Sequence, residues 1–113
     1  MVDSAIGTSV EHYLTELIRR GLPVEFGVLF GSHARGTPHK WSDIDLVVVS
    51  PQFDQKRLRS DINLLWHTAT TTDSRIEPIA VGSRQWIEDD GIPIIEIARR
   101  EGKIIRPPNT PPA

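Results

Sequence analysis

The chain has 113 residues, a formal net charge of −2 from 13 basic and 15 acidic side chains, and no cysteine. That length is the natural size of one domain with its own core, and without cysteine there are no disulfide scaffolds, thiolate zinc sites or thiol catalysis. Basic and acidic residues are interspersed, which argues against a dedicated binder of nucleic-acid backbone, and no apolar run approaches the ~20 residues that span a membrane.

The N-terminus, MVDSAIGTSVEHY, has no basic segment leading into an apolar one, so no export signal is expected. A soluble cytoplasmic protein is the default expectation, and the missing cysteines fit a reducing compartment. Val10, Tyr13, Leu14, Leu17 and Ile18 recur at helical spacing. Thr8 and Glu11 form a T-x-x-E capping box at the start of this predicted helix, and Gly21 followed by Pro23 ends it. Val24 to Phe30 is an apolar run of strand length. The GSHARG segment after it is a turn opening into a short helix at His33 or Ala34, and TPHKWS is a loop.

Asp43 to Val49 is β-branched and predicts a second strand, broken by Ser50-Pro51. Leu58, Ile62, Leu65 and Trp66 form the next helical stripe, and the threonine-rich stretch Thr68 to Asp73 reads as a loop. Arg75 to Val81 predicts a third strand, with Pro78 either arguing against a strand there or placing it at a sheet edge. Ser83 is the expected N-cap of a short helix containing Trp86 and Ile87. A last helix starts with Pro93 in its first turn and stops at Gly102, and KIIRP adds a short strand or packed tail. The domain is expected over residues 1–106. Residues 107–113 are expected to be a disordered tail, because four prolines fall in the last eight residues. Trp66 and Trp86 are expected in the core or at an interface, and Arg57, Arg59, Arg99 and Arg100 on solvated helix faces. Strands alternating with helices give an α/β or α+β class with a small mixed sheet of three or four strands.

The chemistry concentrates in VLFGSHARGTPHKWSDIDLVVVS, Val28 to Ser50. Residues i and i+2 of a strand share a face, so Asp43 and Asp45 project together while Ile44 and Leu46 point into the core. Two adjacent carboxylates repel unless a cation lies between them. Hard divalent cations such as Mg²⁺ take oxygen ligands, often including phosphate. Gly31 allows backbone to approach a ligand, Ser32 adds a hydroxyl, and a helix N-terminus beyond it would favour an anion. Arg35 and Lys40 bring positive charge to the same end. The plainer reading is an ordinary G-S turn and a capping Asp43 after Ser42. The four histidines, His12, His33, His39 and His67, lack H-x-x-x-H spacing, so a histidine metal site is not expected, and neither His33 nor His39 is expected to be a catalytic base. Trp41 is expected to be partly buried beside the motif.

This G-S, spacer, D-h-D pattern closely resembles the signature of the DNA polymerase β-like nucleotidyltransferase superfamily. The A-R-G and S-D-I-D-L details are similar to its minimal nucleotidyltransferase (MNT) branch, whose members are often antitoxins of HEPN-domain ribonuclease toxins. The resemblance extends through RIEPIAV and the closing IPIIEIARREGKII. It implies the polymerase β-like fold and transfer of AMP from ATP, with two Mg²⁺ ions held by Asp43, Asp45 and a third carboxylate. Glu77 is the best match for that third group, and Asp73 is the alternative. Many superfamily members carry aspartate there. The plainer role for Glu77 is an exposed strand carboxylate paired with Arg75 or a lysine. Gly31, Ser32, Arg35 and Ser42 are the implied nucleotide-binding residues.

The acceptor is expected on a partner, a HEPN toxin with which the chain would form a hetero-oligomer, with no membrane or nucleic-acid partner. Two alternatives stand beside this expectation. One is an antitoxin that neutralises by binding alone. The other is transfer to a small molecule such as an aminoglycoside.

Overall fold

In the computed structural model, which describes residues 4–31, 34, 43–55, 58–89 and 91–108, the first helix, α1, spans Ser4–Arg19. Its buried residues are Ile6, Val10, Tyr13, Leu14 and Leu17, one stripe at helical spacing. The helix begins one turn before the expected capping box. Ile6 extends the apolar stripe backwards, and the Thr8 hydroxyl donates to the Ser4 carbonyl within the helix rather than capping it. The helix ends as expected at Gly21, whose φ is +100°, a left-handed conformation that glycine takes without a Cβ penalty.

Strand β1 covers Phe26–Phe30, two residues shorter than the apolar run. Strand β2, Ile44–Ser50, is followed by a 3-10 turn at Pro51–Asp54. Helix α2 runs Arg59–Thr72 and strand β3 Ile76–Gly82. Short helix α3 is Ser83–Glu88, α4 is Pro93–Glu101, and β4 is Lys103–Ile105. The sheet order is β3-β2-β1-β4. β1 is antiparallel to β2 and β4, and β2 is parallel to β3. The chain is thus a mixed four-stranded α+β sheet flanked by helices. Pro78, which has no N–H to donate, sits on an edge strand, the location that costs a sheet least.

Each face of the sheet has its own core. Ile44, Leu46 and Val48 of β2 pack with α1 and with Leu65 and Ala69 of α2. Val47 and Val49 point the other way and pack with Val28, Phe30, Val81 and with Ile95 and Ala98 of α4. Each fully buried aliphatic side chain in these layers is worth roughly 1.5–3 kcal/mol relative to exposure. Tyr13 crosses between helices, its hydroxyl donating to the Leu65 carbonyl at 2.9 Å. Burial in that contact pushes its phenol well above the usual range.

Three local expectations are corrected. The threonine run is the last turn of α2, not a loop. Thr68 is fully buried, and the hydroxyls of Thr71 and Thr72 donate back to its carbonyl. This satisfies them inside a helix that their propensity disfavours. Ser83 is the first residue of α3, not its cap. The capping oxygens come from Asp54, which accepts from the N–H groups of Arg84 and Gln85 at 2.8 and 3.2 Å. Trp66 is 47% exposed and lies outside both cores, while Trp86 is half-buried edge-on to Phe26. Arg99 is exposed, as expected, and also donates to the carbonyls of Ile87 and Asp89. Arg100 pairs with Glu96 on the surface. Pro107 is buried, and residues 109–113 lie outside the described residues. No described helix is long and apolar enough to cross a membrane.

Candidate active site

β2 carries the carboxylates because its pleat has two kinds of neighbour. Ile44 and Leu46 are completely buried. Asp45, between them, turns to the opposite face and is half-buried, and Asp43, just before the strand, is exposed. The adjacent parallel strand places Glu77 directly opposite Asp45. On β3, Ile76 and Ala80 join the first core while Ile79 and Val81 join the second, so alternation puts Glu77 on the face of Asp45. The three carboxylates meet where β2 and β3 begin and β1 ends.

The meeting has an electrostatic consequence. The Glu77 carboxyl is held above its ordinary value. Loss of water contact is the largest cause, followed by the charges of Asp43 and Asp45 and hydrogen bonds to both. A protonated Glu77 can donate to either aspartate, whereas an ionised one is repelled by both.

Gly31 completes the corner. It follows β1, whose last residue, Phe30, is paired with Asp45. Its φ is +77°. A Cβ built there would lie 2.3 Å from Asp45 Oδ2, so two separate constraints exclude a side chain. Asp45 rests its carboxylate against the backbone at the end of β1, in space that only glycine leaves open.

Of the other expected residues, Ser32, Arg35 and Ser42 lie outside the described residues, as do His33, His39, Lys40 and Trp41. Ala34 is described, and is helical and buried, at the position where a short helix is expected to open.

Asp73 is occupied elsewhere. Its carboxylate accepts from Arg75 at three points, the backbone N–H at 3.1 Å, Nε at 3.0 Å and Nη2 at 2.7 Å. The Arg75 guanidinium draws the Asp73 carboxyl below its ordinary value, with a further contribution from the Ser9 side chain. Arg75 therefore pairs with Asp73, not with Glu77. The D-x-R spacing of Asp73 and Arg75 was the available signal for this clamp, but nothing in the sequence says which of two nearby carboxylates an arginine takes.

Comparison with known proteins agrees with this architecture. A family model described as "Nucleotidyltransferase domain" matches residues 10–101. No match is found among curated protein sequences. Among solved structures, the chain is similar to a Sulfolobus solfataricus protein described as a nucleotidyltransferase, with a TM-score of 0.63 and 14% identity over 87% of this chain and 77% of that one. It is also similar to a chain of a toxin–antitoxin structure with AMP-PNP, with a TM-score of 0.60 and 22% identity over 88% and 74% of the two chains. A third likeness is to a chain of the tri-AMPylated Shewanella oneidensis HEPN toxin in complex with MNT antitoxin, with a TM-score of 0.55 and 17% identity over 89% and 72%. At these identities the likeness is one of fold.

Proposed function

The chain belongs to the nucleotidyltransferase domain family, and from that premise we propose that it transfers AMP from ATP to a hydroxyl of a partner protein, a HEPN-type toxin, as its cytoplasmic antitoxin. The observation that carries the reading is the convergence of Asp43, Asp45 and Glu77 beside Gly31. The toxin as partner is supported by the fold likeness to chains from toxin–antitoxin complexes.

The donor set fits a divalent cation in kind. It is all carboxylate oxygen, and crowding already penalises the ionised form of Glu77. Among the described residues no three such side chains form a finished cage, so the residues assigned to hold Mg²⁺ are the Asp43 and Asp45 pair, with Glu77 closing in from the neighbouring strand. Bound there, two such ions would lower the pKa of the incoming hydroxyl and offset charge on departing pyrophosphate.

In the reaction, the acceptor oxygen forms a bond to the α-phosphorus of ATP. The bond from that phosphorus to the oxygen bridging to the β-phosphorus breaks, and pyrophosphate leaves with the electron pair. The acceptor proton is lost to solvent, and Glu77 either completes the metal site or relays that proton. Gly31, Ser32, Arg35 and Ser42 are assigned to the triphosphate.

The purified chain, Mg²⁺ and ATP are mixed with the HEPN-type toxin, and intact mass is read. Stepwise gain of one adenylate per site on the toxin, absent in EDTA, is the expected result. Suppression of the toxin's ribonuclease at unchanged mass would mean that the chain acts by binding alone.

A further inference from the structure

The crowded carboxylates raise the question of why the chain's own cation does not neutralise them. Ile44 is paired with Ile76, and the Ile44 N–H donates to the Arg75 carbonyl at 2.8 Å. Arg75 therefore stands beside Asp43 at the start of the two strands and two residues before Glu77. Neighbouring strands are about 4.8 Å apart, within the length of an arginine side chain, and an arginine cannot lose its charge.

Its guanidinium nevertheless goes to Asp73, with Nε on one carboxylate oxygen and Nη2 on the other. This is the two-pronged geometry that makes arginine–carboxylate pairs strong and directional. Asp73 is itself well anchored. Its carboxylate side chain is 12% exposed, and its carbonyl accepts from the Ile76 N–H at 3.1 Å.

We infer that Asp73 is a positioning residue that keeps the Arg75 guanidinium out of the Asp43–Asp45–Glu77 corner and so reserves those oxygens for a divalent cation. The inference rests on the metal-site reading above. Without Asp73, Arg75 swings to the nearest dense negative charge and competes with the ion.

Mn²⁺ binding, followed by electron paramagnetic resonance on the full chain without nucleotide, tests this. The signal belongs to this corner if Asp43→Asn with Asp45→Asn removes it. Asp73→Asn should weaken Mn²⁺ binding by roughly tenfold or more, the scale on which one adjacent opposite charge alters a carboxylate's affinity for a proton. Arg75→Gln should bind Mn²⁺ at least as tightly as the unaltered chain. The double variant Asp73→Asn/Arg75→Gln should recover most of the loss, which a clamp that only holds the turn together would not allow. A double variant as weak as Asp73→Asn, or weakened binding in Arg75→Gln alone, overturns the inference, and the latter stands even if Asp73→Asn fails to fold. If the unaltered chain binds no Mn²⁺, the cation site falls and the inference with it. If it binds and Asp73→Asn binds equally well, only the inference falls.

Discussion

The two ends of β2 both carry acidic side chains, and they are treated in opposite ways. Beyond its C-terminal end, Asp54 accepts from two backbone N–H groups of α3. Those bonds, that of Arg84 first, hold its carboxyl below the ordinary value. Nearby Asp61 is buried and likewise provided for, taking a 2.8 Å bond from the Gln52 amide and one from the Leu58 N–H. At the N-terminal end, Asp43, Asp45 and Glu77 face one another, and Glu77 is pushed up instead of down. One end uses negative charge to tie elements together. The other gathers it against repulsion, the arrangement expected of a site whose partner is a ligand.

The largest effect should come from neutralising the crowded end. Asp43→Asn with Asp45→Asn is expected to reduce nucleotidyl transfer by about 10²–10³-fold or more, the scale for removing groups that stabilise developing charge. Without metal its melting temperature should equal or exceed that of the unaltered chain, because like charges are removed. Steady-state transfer and a thermal melt in EDTA read the two halves. A variant that melts much lower would make the two ends alike, both structural.

A smaller effect is expected at Gly31. Gly31→Ala keeps every carboxylate but adds a Cβ 2.3 Å from Asp45 Oδ2 at a φ of +77°. The left-handed backbone alone costs an alanine roughly 1–2 kcal/mol, so melting should fall modestly. Mn²⁺ affinity should fall as well, because Asp45 must move. Lower melting with unchanged Mn²⁺ affinity would show that the glycine serves the turn and not the aspartate.

The same contrast explains what could be read from residues alone. The β2 pattern and the Gly31 turn were legible, because a period of two and a turn residue are local signals, whereas Glu77 entered only through the resemblance, which implies a third carboxylate. The edge position of β3 was one of the two readings that Pro78 allowed. The threonine turn of α2 was not legible, since its stability depends on burial of Thr68 and on hydroxyls folded back on the helix. Nor was the cap of α3, supplied by Asp54 from thirty residues earlier, or the choice of Asp73 by Arg75. The cap is set by tertiary geometry alone, whereas in the other two cases the spacing offers a partner without saying that it is taken.

The smallest predicted effect is also the most direct measure of the difference between the ends, because the two titrate with opposite sign. The ordinary carboxyl value of Glu77 is 4.5, and the folded chain raises it. The folded state therefore holds this proton more tightly than the unfolded state. The stabilisation is fully present below about pH 4.5 and is lost as pH rises through the raised value. Asp54 is the reverse. Its value is lowered from 3.8, so its contribution is present above about pH 3.8 and is lost as pH falls through the folded value. Melting temperatures of the unaltered chain, Glu77→Gln and Asp54→Asn, taken in EDTA from pH 3 to 7, separate the two. The unaltered chain should lose ground to Glu77→Gln as pH climbs past 4.5 and gain ground on Asp54→Asn as pH climbs from 3. Mg²⁺ should shrink the first difference by compensating the carboxylates, and should leave the second untouched because Asp54 belongs to the other end. If the Glu77→Gln difference is flat across pH, or has the sign of Asp54, Glu77 is an ordinary surface carboxylate and the crowded corner has only two members.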